Sequence, residues 1–257
     1  MTEEGVFRFW GKTSGDLVHP AVCHMLDTGI VARELLMVQP HGFICKLADE
    51  FGVTTDALPQ LVAFLAALHD MGKISPGFQS KRPDLCAPLK LEGYVFSRAD
   101  EDRHALTTLE TLPDLLIDCF QCDEGLAIAL SRSLAAHHGV FSGQEAQKVG
   151  AGKWIKARRA ALEFLSGLFW GKSMVGLGFP STPALVILAG LVSVSDWLSS
   201  AEENFPYLTC TQPILWDYMT DRTQRARELV RRLRFDVSSP AETEFHQLFD
   251  FTSPNPC

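Results

Sequence analysis

Leu61-Val62-Ala63-Phe64-Leu65-Ala66-Ala67-Leu68-His69-Asp70-Met71-Gly72-Lys73 sets an imidazole, a carboxylate and an ammonium group at the end of an apolar run. The run is helix-forming sequence, which predicts a buried helix with His69 and Asp70 on its last turn and Gly72 near its end. Apolar side chains would pack such a position more cheaply, because desolvation penalises an unpaired buried carboxylate heavily. A bound metal ion removes the difficulty.

Other apolar stretches repeat the anomaly. His24 lies in Ala21-Val22-Cys23-His24-Met25-Leu26-Asp27, and His104 opens His104-Ala105-Leu106. His137 and His138 close Leu134-Ala135-Ala136-His137-His138-Gly139, and Asp196 sits in Val194-Ser195-Asp196-Trp197. Helices that each turn an imidazole or a carboxylate inward make a metal site, with His24, His69, Asp70, His104, His137, His138 and Asp196 as its candidate ligands. Neutral imidazoles with carboxylates and no thiolate suit divalent iron, manganese, nickel or cobalt, with zinc and magnesium as alternatives, rather than calcium. Were two ions bound, Asp70 would be the natural bridge between them.

The 257 residues, 46% of them hydrophobic, suffice for a full core in one large domain or two small ones. A formal charge of −8 offers nucleic acid no general attraction, so any contact with it must come from local basic patches and from bound cations. Seven cysteines, an odd number, with no signal-peptide pattern predict reduced thiols and a cytoplasmic location. Cys119-Phe120-Gln121-Cys122 reads as two helix-end thiols, since no second pair accompanies it. The longest apolar run, residues 184–194, is shorter than the roughly 18–20 residues that cross a bilayer, so no membrane association is expected. No GxxxxGK[ST] phosphate-binding loop is present, so the chain by itself is no ATPase.

Helical spacing predicts helices over residues 21–38, from His104 to Phe120, from Glu124 to His138, from the Lys153 region to Phe169, over residues 184–200 and over residues 212–233. Residues 1–18 read as irregular, His41 as a solvated loop residue, and residues 74–102 as a long connection leaving the site. On that connection Phe78 is a candidate for base stacking, and Lys81 and Arg82 for phosphate contact. Lys153 and Lys156 belong to a second basic cluster around Trp154, Arg158 and Arg159 that could follow a phosphate backbone. On the first helix Asp27, Arg33 and Glu34 are expected to face outward, and the helix over residues 184–200 to be buried almost all round.

The order His24, His69-Asp70, Lys73, His104, His137-His138, Asp196 resembles the HD-domain metal phosphohydrolases. More narrowly, it resembles the HD nuclease module of the type I CRISPR-associated nuclease-helicase. Trp10-Gly11-Lys12, His19-Pro20 and His24-Met25-Leu26-Asp27 look like the opening of that subfamily, and Ile74-Ser75-Pro76-Gly77-Phe78-Gln79 like the segment after its HD pair. The HD pair alone is a broad signature; His137-His138-Gly139 and the Gly-Phe-Gln make the likeness specific, and it covers essentially the whole chain.

The resemblance implies an all-α fold, a globular HD-domain helical bundle around the His/Asp site. At most a small β-hairpin is expected, near Tyr94-Val95-Phe96. An HD nuclease domain would span 1–235, and 236–257 would be a C-terminal linker that leads into a helicase in fused homologues. By the family pattern His24, His69, Asp70 and Asp196 would hold one metal and Asp70, His104, His137 and His138 the other, with Asp70 and Lys73 in catalytic roles. The implied activity is metal-dependent cleavage of single-stranded DNA in type I CRISPR interference. The implied partners are the Cascade surveillance complex and a helicase in cis or in trans. An HD phosphohydrolase acting on small nucleotides is the alternative enzyme, and a non-catalytic interaction module, which would require a lost ligand, is the third reading.

Overall fold

Pro20 enters the first long helix in extended backbone (φ −57°, ψ 144°), a conformation its ring favours. That helix, α1 (Ala21–Met37), is the centre of a computed structural model that describes residues 3–96, 103–139, 148–208 and 212–235. Val22, Met25, Leu26, Ile30, Val31 and Leu36 of α1 are buried among α3 (Leu58–Ala67), α9 (Thr182–Ser200) and α10 (Leu215–Arg232). A second packed pair, α6 (His104–Phe120) and α7 (Glu124–Ala135), joins the first through α9. The remaining helices among the described residues are α2 (His41–Phe51), α4 (Pro76–Ser80), α5 (Pro83–Leu91) and α8 (Lys153–Phe169). The architecture is all-α.

Side-chain caps set several helix starts. Asp123 accepts from Leu126 N–H at 3.0 Å before α7, Ser181 from Ala184 N–H before α9, and Ser75 from Phe78 N–H before α4. Gly139, at φ 81°, ends the 3₁₀ turn Ala136–His138 that prolongs α7, as its position after the paired histidines predicted.

Other expectations are corrected. Residues expected to be irregular form a 3₁₀ turn (Glu3–Val6) and an antiparallel hairpin of β1 (Trp10–Ser14) and β2 (Leu17–Pro20), with buried Phe7 and Phe9 anchoring its approach. No strand forms at Tyr94-Val95-Phe96; Tyr94 instead packs its ring against Phe9 and Trp154. His41 opens α2 rather than lying in a loop, because Pro40 supplies a helix-entry conformation. Within residues 74–102, α4 and α5 occupy much of the stretch read as structureless, and 97–102 lie outside the described residues, as does the proposed linker 236–257.

Asp27 does not look outward. It is fully buried, accepting from Tyr218 Oη at 2.7 Å, with His19 Nε2 at 3.2 Å and Arg222 Nε at 3.5 Å. Glu34 is buried too and pairs with Arg33 and Arg227, so α10 is fastened to α1 by two charged contacts. Nor is α9 buried all round: Ala184, Leu188, Ala189 and Val192 face the core, while Val186, Ile187 and Trp197 are exposed. By length and composition α9 could cross a membrane, but it packs on α1 and α7 as a core helix does.

The HD pair falls just past a helix rather than on its last turn. α3 stops at Ala67, and His69 and Asp70 lie in the turn that leads into a 3₁₀ helix, Met71–Lys73. Thr108 of α6 locks that turn, donating to His69 O at 3.0 Å and accepting from Gly72 N–H at 2.9 Å. Gly72 is required by closeness rather than by torsion, since a Cβ there would lie 1.9 Å from His104 O. Gly72→Ala is therefore expected to destabilise the fold by about 2–3 kcal/mol, the upper range for overpacking, read from the urea midpoint. An unchanged midpoint would show that α6 does not pack this tightly on the turn.

Candidate metal centre

The turn and four helices bring the candidate ligands to one place. His24 comes from α1, His69 and Asp70 from the turn after α3, His104 from the start of α6, His137 and His138 from the 3₁₀ end of α7, and Asp196 from the last part of α9. They fall into two groups, His24, His69, Asp70 and Asp196 in one and His104, His137 and His138 in the other, the ligand atoms of each lying within 4.8 Å of one another. All seven residues read from the sequence as ligand candidates are in these two groups.

Asp70 stands between the groups. Its Oδ2 is 3.1 Å from His24 Nε2 and 3.2 Å from His69 Nε2, and its Oδ1 is 3.5 Å from His104 Nε2 and 3.7 Å from His137 Nε2. Asp196 Oδ1 is 3.0 Å from His24 Nε2 and 3.7 Å from His69 Nε2. These contacts are close enough for charge attraction but poorly aligned: His24 Nε2, His69 Nε2, His137 Nε2 and Asp70 Oδ1 are buried with no hydrogen-bond partner among the described residues. Three buried ring nitrogens and a carboxylate oxygen left unsatisfied in one place fit a metal centre, since each would otherwise carry its full desolvation cost.

The rings are held for this arrangement. His69 Nδ1 donates to Ala66 O and His137 Nδ1 to Leu134 O, each at 2.8 Å, so in the neutral tautomer each Nε2 turns a lone pair to the cluster. The two groups differ in depth. His24, His69, Asp70 and Asp196 are buried, whereas His104 is half-buried and His138, with its Nε2 3.1 Å from that of His104, is exposed.

The electrostatics of the cluster's own side chains follow from burial and two lysines. Lys73 Nζ lies 2.6 Å from Asp70 Oδ2 and Lys12 Nζ 3.7 Å from Asp196 Oδ1. Burial opposes ionisation of Asp70, yet Lys73 and His69 overcome it and hold the carboxyl well below the usual range. Asp196 is likewise held low against its burial by the His24 and His69 rings beside it. Burial lowers the value for His24, and that for His137 to about 3. Burial pulls His69 down as well, but Asp70 and Asp196 outweigh it and raise the ring to about 9.

The substrate-contact candidates fare differently. Phe78 is buried, stacked on Trp10 at 4.4 Å between centroids and set edge-on to His104, with Lys73 and Lys81 over its ring. No face is left for a base; Phe78 is a wall of the site. Arg82 is paired with Asp84 at 2.6 Å, and Lys81 is exposed. Lys153 and Lys156 are exposed along a cavity of about 470 Å³ shared with Arg8, Tyr94 and Arg159. Arg158 and Trp154 of the same cluster are core residues, Arg158 donating to Ile74 O and Val149 O and Trp154 to Val95 O.

Sequence reasoning also missed the role of Gln79. This buried side chain donates to Trp10 O and Lys73 O, both at 2.9 Å, so it ties the hairpin to the HD turn. The signal was present in the Gly-Phe-Gln motif, but its partner lies 69 residues away.

Fold and site together define an HD-type helical domain around a His/Asp cluster. A sequence model described as the HD domain of Cas3 matches residues 10–205, and the chain belongs to that family. The CRISPR-associated endonuclease/helicase Cas3 of Thermus thermophilus is 30% identical over 261 residues, covering 97% of this chain and 28% of the relative. The CRISPR-associated nuclease/helicase Cas3 of Streptococcus thermophilus is 26% identical over 183 residues, covering 58% of this chain and 19% of the relative. The chain thus spans less than a third of the length of these curated relatives. Among solved structures, the Thermus thermophilus cas3 HD domain in the presence of Ni²⁺ is 26% identical with a TM-score of 0.69, covering 90% of this chain and 91% of that one. A crystal structure described as a CRISPR-associated protein reaches a TM-score of 0.81 at 28% identity, covering 95% of this chain and 29% of that one.

The two histidine shifts set a pH profile for the chelator-stripped protein. His69, raised to about 9 from an unfolded value near 6.5, contributes stability that is complete below about pH 6.5 and is lost as pH rises through 9. His137, lowered to about 3, works in the other direction, because below about pH 6.5 the unfolded chain takes up the proton first. Urea midpoints should therefore peak near pH 6.5, and Asp196→Asn should flatten the alkaline side; a midpoint that rises from pH 6.5 to 9 would contradict the assignment of His69.

Proposed function

We propose that this chain is a metal-dependent nuclease module of type I CRISPR interference that hydrolyses phosphodiester bonds in single-stranded DNA. The observation that carries the proposal is the aspartate whose two oxygens face different histidine groups, in a pocket of unsatisfied ring nitrogens. Similarity to CRISPR-associated nuclease/helicases, and to an HD domain crystallised with Ni²⁺, supports the class of reaction and a divalent transition metal.

In this reading His24, His69, Asp70 and Asp196 would hold a deep ion, and His104, His137 and His138, with Asp70 shared between the groups, a second, more open one. Metals held there would make a hydroxide available near neutral pH and offset the charge that develops on the phosphorus oxygens. The chain's own residues do the rest. Ala66 O and Leu134 O keep two of the rings in the tautomer that presents Nε2. Burial of the deep group excludes water from one side, so the exposed His138 edge is where a strand enters. Lys73 leaves Asp70 to contact the scissile phosphate, and Lys81, Arg82, Lys153 and Lys156 follow the flanking backbone. These local cations are needed because a chain of net charge −8 repels DNA elsewhere.

Residues 1–235 would form this module and 236–257 would lead toward a helicase, in cis or in trans, that feeds the strand displaced at the Cascade complex in the cytoplasm.

Chelator-stripped protein given circular single-stranded DNA should cut it only when Mn²⁺, Fe²⁺, Co²⁺ or Ni²⁺ is restored. Loss of the shared ligand in Asp70→Ala should reduce the rate by at least about 100-fold, more than loss of a supporting contact costs. His138→Ala should lower bound metal from about two ions to about one, since it removes a ligand of the open group alone. Hydrolysis of small nucleotides in place of DNA would instead favour the small-molecule phosphohydrolase.

A further inference from the structure

Trp10-Gly11-Lys12 belongs to the pattern that resembles the family, yet the ligand set leaves it without a task. The structure carries it into the metal centre. The register of β1 on β2 pairs Trp10 with Pro20 and Lys12 with His19, so an irregularity falls at Gly11, and such bulges re-aim the side chain that follows. Gly11 lies against α1 so closely that a Cβ would be 2.6 Å from Ala21 Cα. Trp10 is fixed by stacking on Phe78 and by Gln79, whose Oε1 accepts from Trp10 N–H at 3.3 Å. Lys12 is thereby directed over the end of α9, where it donates to Ser200 Oγ while Ser200 donates to Asp196 Oδ1 at 2.9 Å.

Each carboxylate of the deep group therefore has its own ammonium, Lys73 on Asp70 and Lys12 on Asp196. Asp70 Oδ2 and Asp196 Oδ1 are also the oxygens that face His24 and His69. A divalent ion there takes over the neutralisation of those oxygens and repels both lysines. Lys73 is nearly enclosed, its side chain 7% exposed, whereas that of Lys12 is 22% exposed. An anion arriving at the metals would be the nearest replacement counter-charge.

We propose that Lys12 binds a non-bridging oxygen of the substrate phosphate and forms, with Lys73, a two-ammonium clamp on the scissile group. The inference rests on the metal-dependent phosphodiesterase reading and assigns to the hairpin a direct contact with substrate. It makes the bulge at Gly11 a device for aiming that contact.

Cobalt-loaded protein titrated with inorganic phosphate, followed by the visible absorption of the bound Co²⁺, tests this without any turnover. Lys12→Gln should weaken phosphate binding about tenfold, the scale of one charge-assisted hydrogen bond, while Lys12→Arg should recover most of it. Lys172→Gln, which removes the same charge from an exposed site after α8, should change nothing. Cobalt affinity in Lys12→Gln should stay the same or rise, because a competing cation is gone. Normal cobalt uptake with unaltered phosphate affinity in Lys12→Gln would overturn the inference alone. A loss of cobalt affinity in that variant would also overturn it, making Lys12 a positioning residue for Asp196. Failure of the unaltered protein to take up cobalt would sink the metal-centre reading and the inference together.

Discussion

Two carboxylates, Asp70 and Asp196, are buried where α1, α9 and the turn after α3 meet, and both are ionised. Taking such groups out of water is costly enough that positive charge must be held against them. Within the chain, the compensation comes from Lys73, Lys12 and a His69 ring raised to about 9 by the two carboxylates. The deep group is thus already arranged for a divalent cation. In the proposed reading a bound divalent ion would take the place of the proton on His69 and of the two ammonium contacts, leaving both lysines available to an anionic substrate.

Much of the remaining fold keeps these residues in place. The hairpin and the HD turn grip one another through Gln79 and the Trp10–Phe78 stack, so residues far apart in sequence deliver Lys12 and Lys73 to neighbouring carboxylates. Thr108 bonds the HD turn to α6, which fixes His104 relative to Asp70. Arg158 anchors Ile74, just past that turn, to α8. Elsewhere on α1, Asp27 and Glu34 fasten α10, a helix beyond the segment matched by the family.

The sequence carried the helical architecture and the positions of the clustered candidate ligands well, because both are local signals. Apolar spacing placed α1, α6 and α8 within a residue or two, and a polar group in or just beyond an apolar stretch stood out at each candidate ligand. What could not be read depends on partners remote in the chain. Asp27 has the spacing of a surface residue until Tyr218, 191 residues later, covers it. Phe78 offers itself as a stacking platform until Trp10 takes its face, and Lys12 has no visible purpose until Ser200 comes within reach. The hairpin was missed because strands of five and four residues separated by Gly15-Asp16 leave almost no periodicity, and α5 because Pro83 and Pro88 suggest a loop although one starts the helix and the other is accommodated inside it.

The central claim is that Asp70 is shared between two metal positions of unequal depth. Anomalous diffraction from crystals grown with Mn²⁺ or Ni²⁺ tests it most directly. The account predicts two peaks about 3.5–4 Å apart, one beside each oxygen of Asp70, with the peak among His104, His137 and His138 the weaker after brief exposure to chelator. A lone peak that persists at saturating metal, or two peaks that do not both touch Asp70, would contradict it.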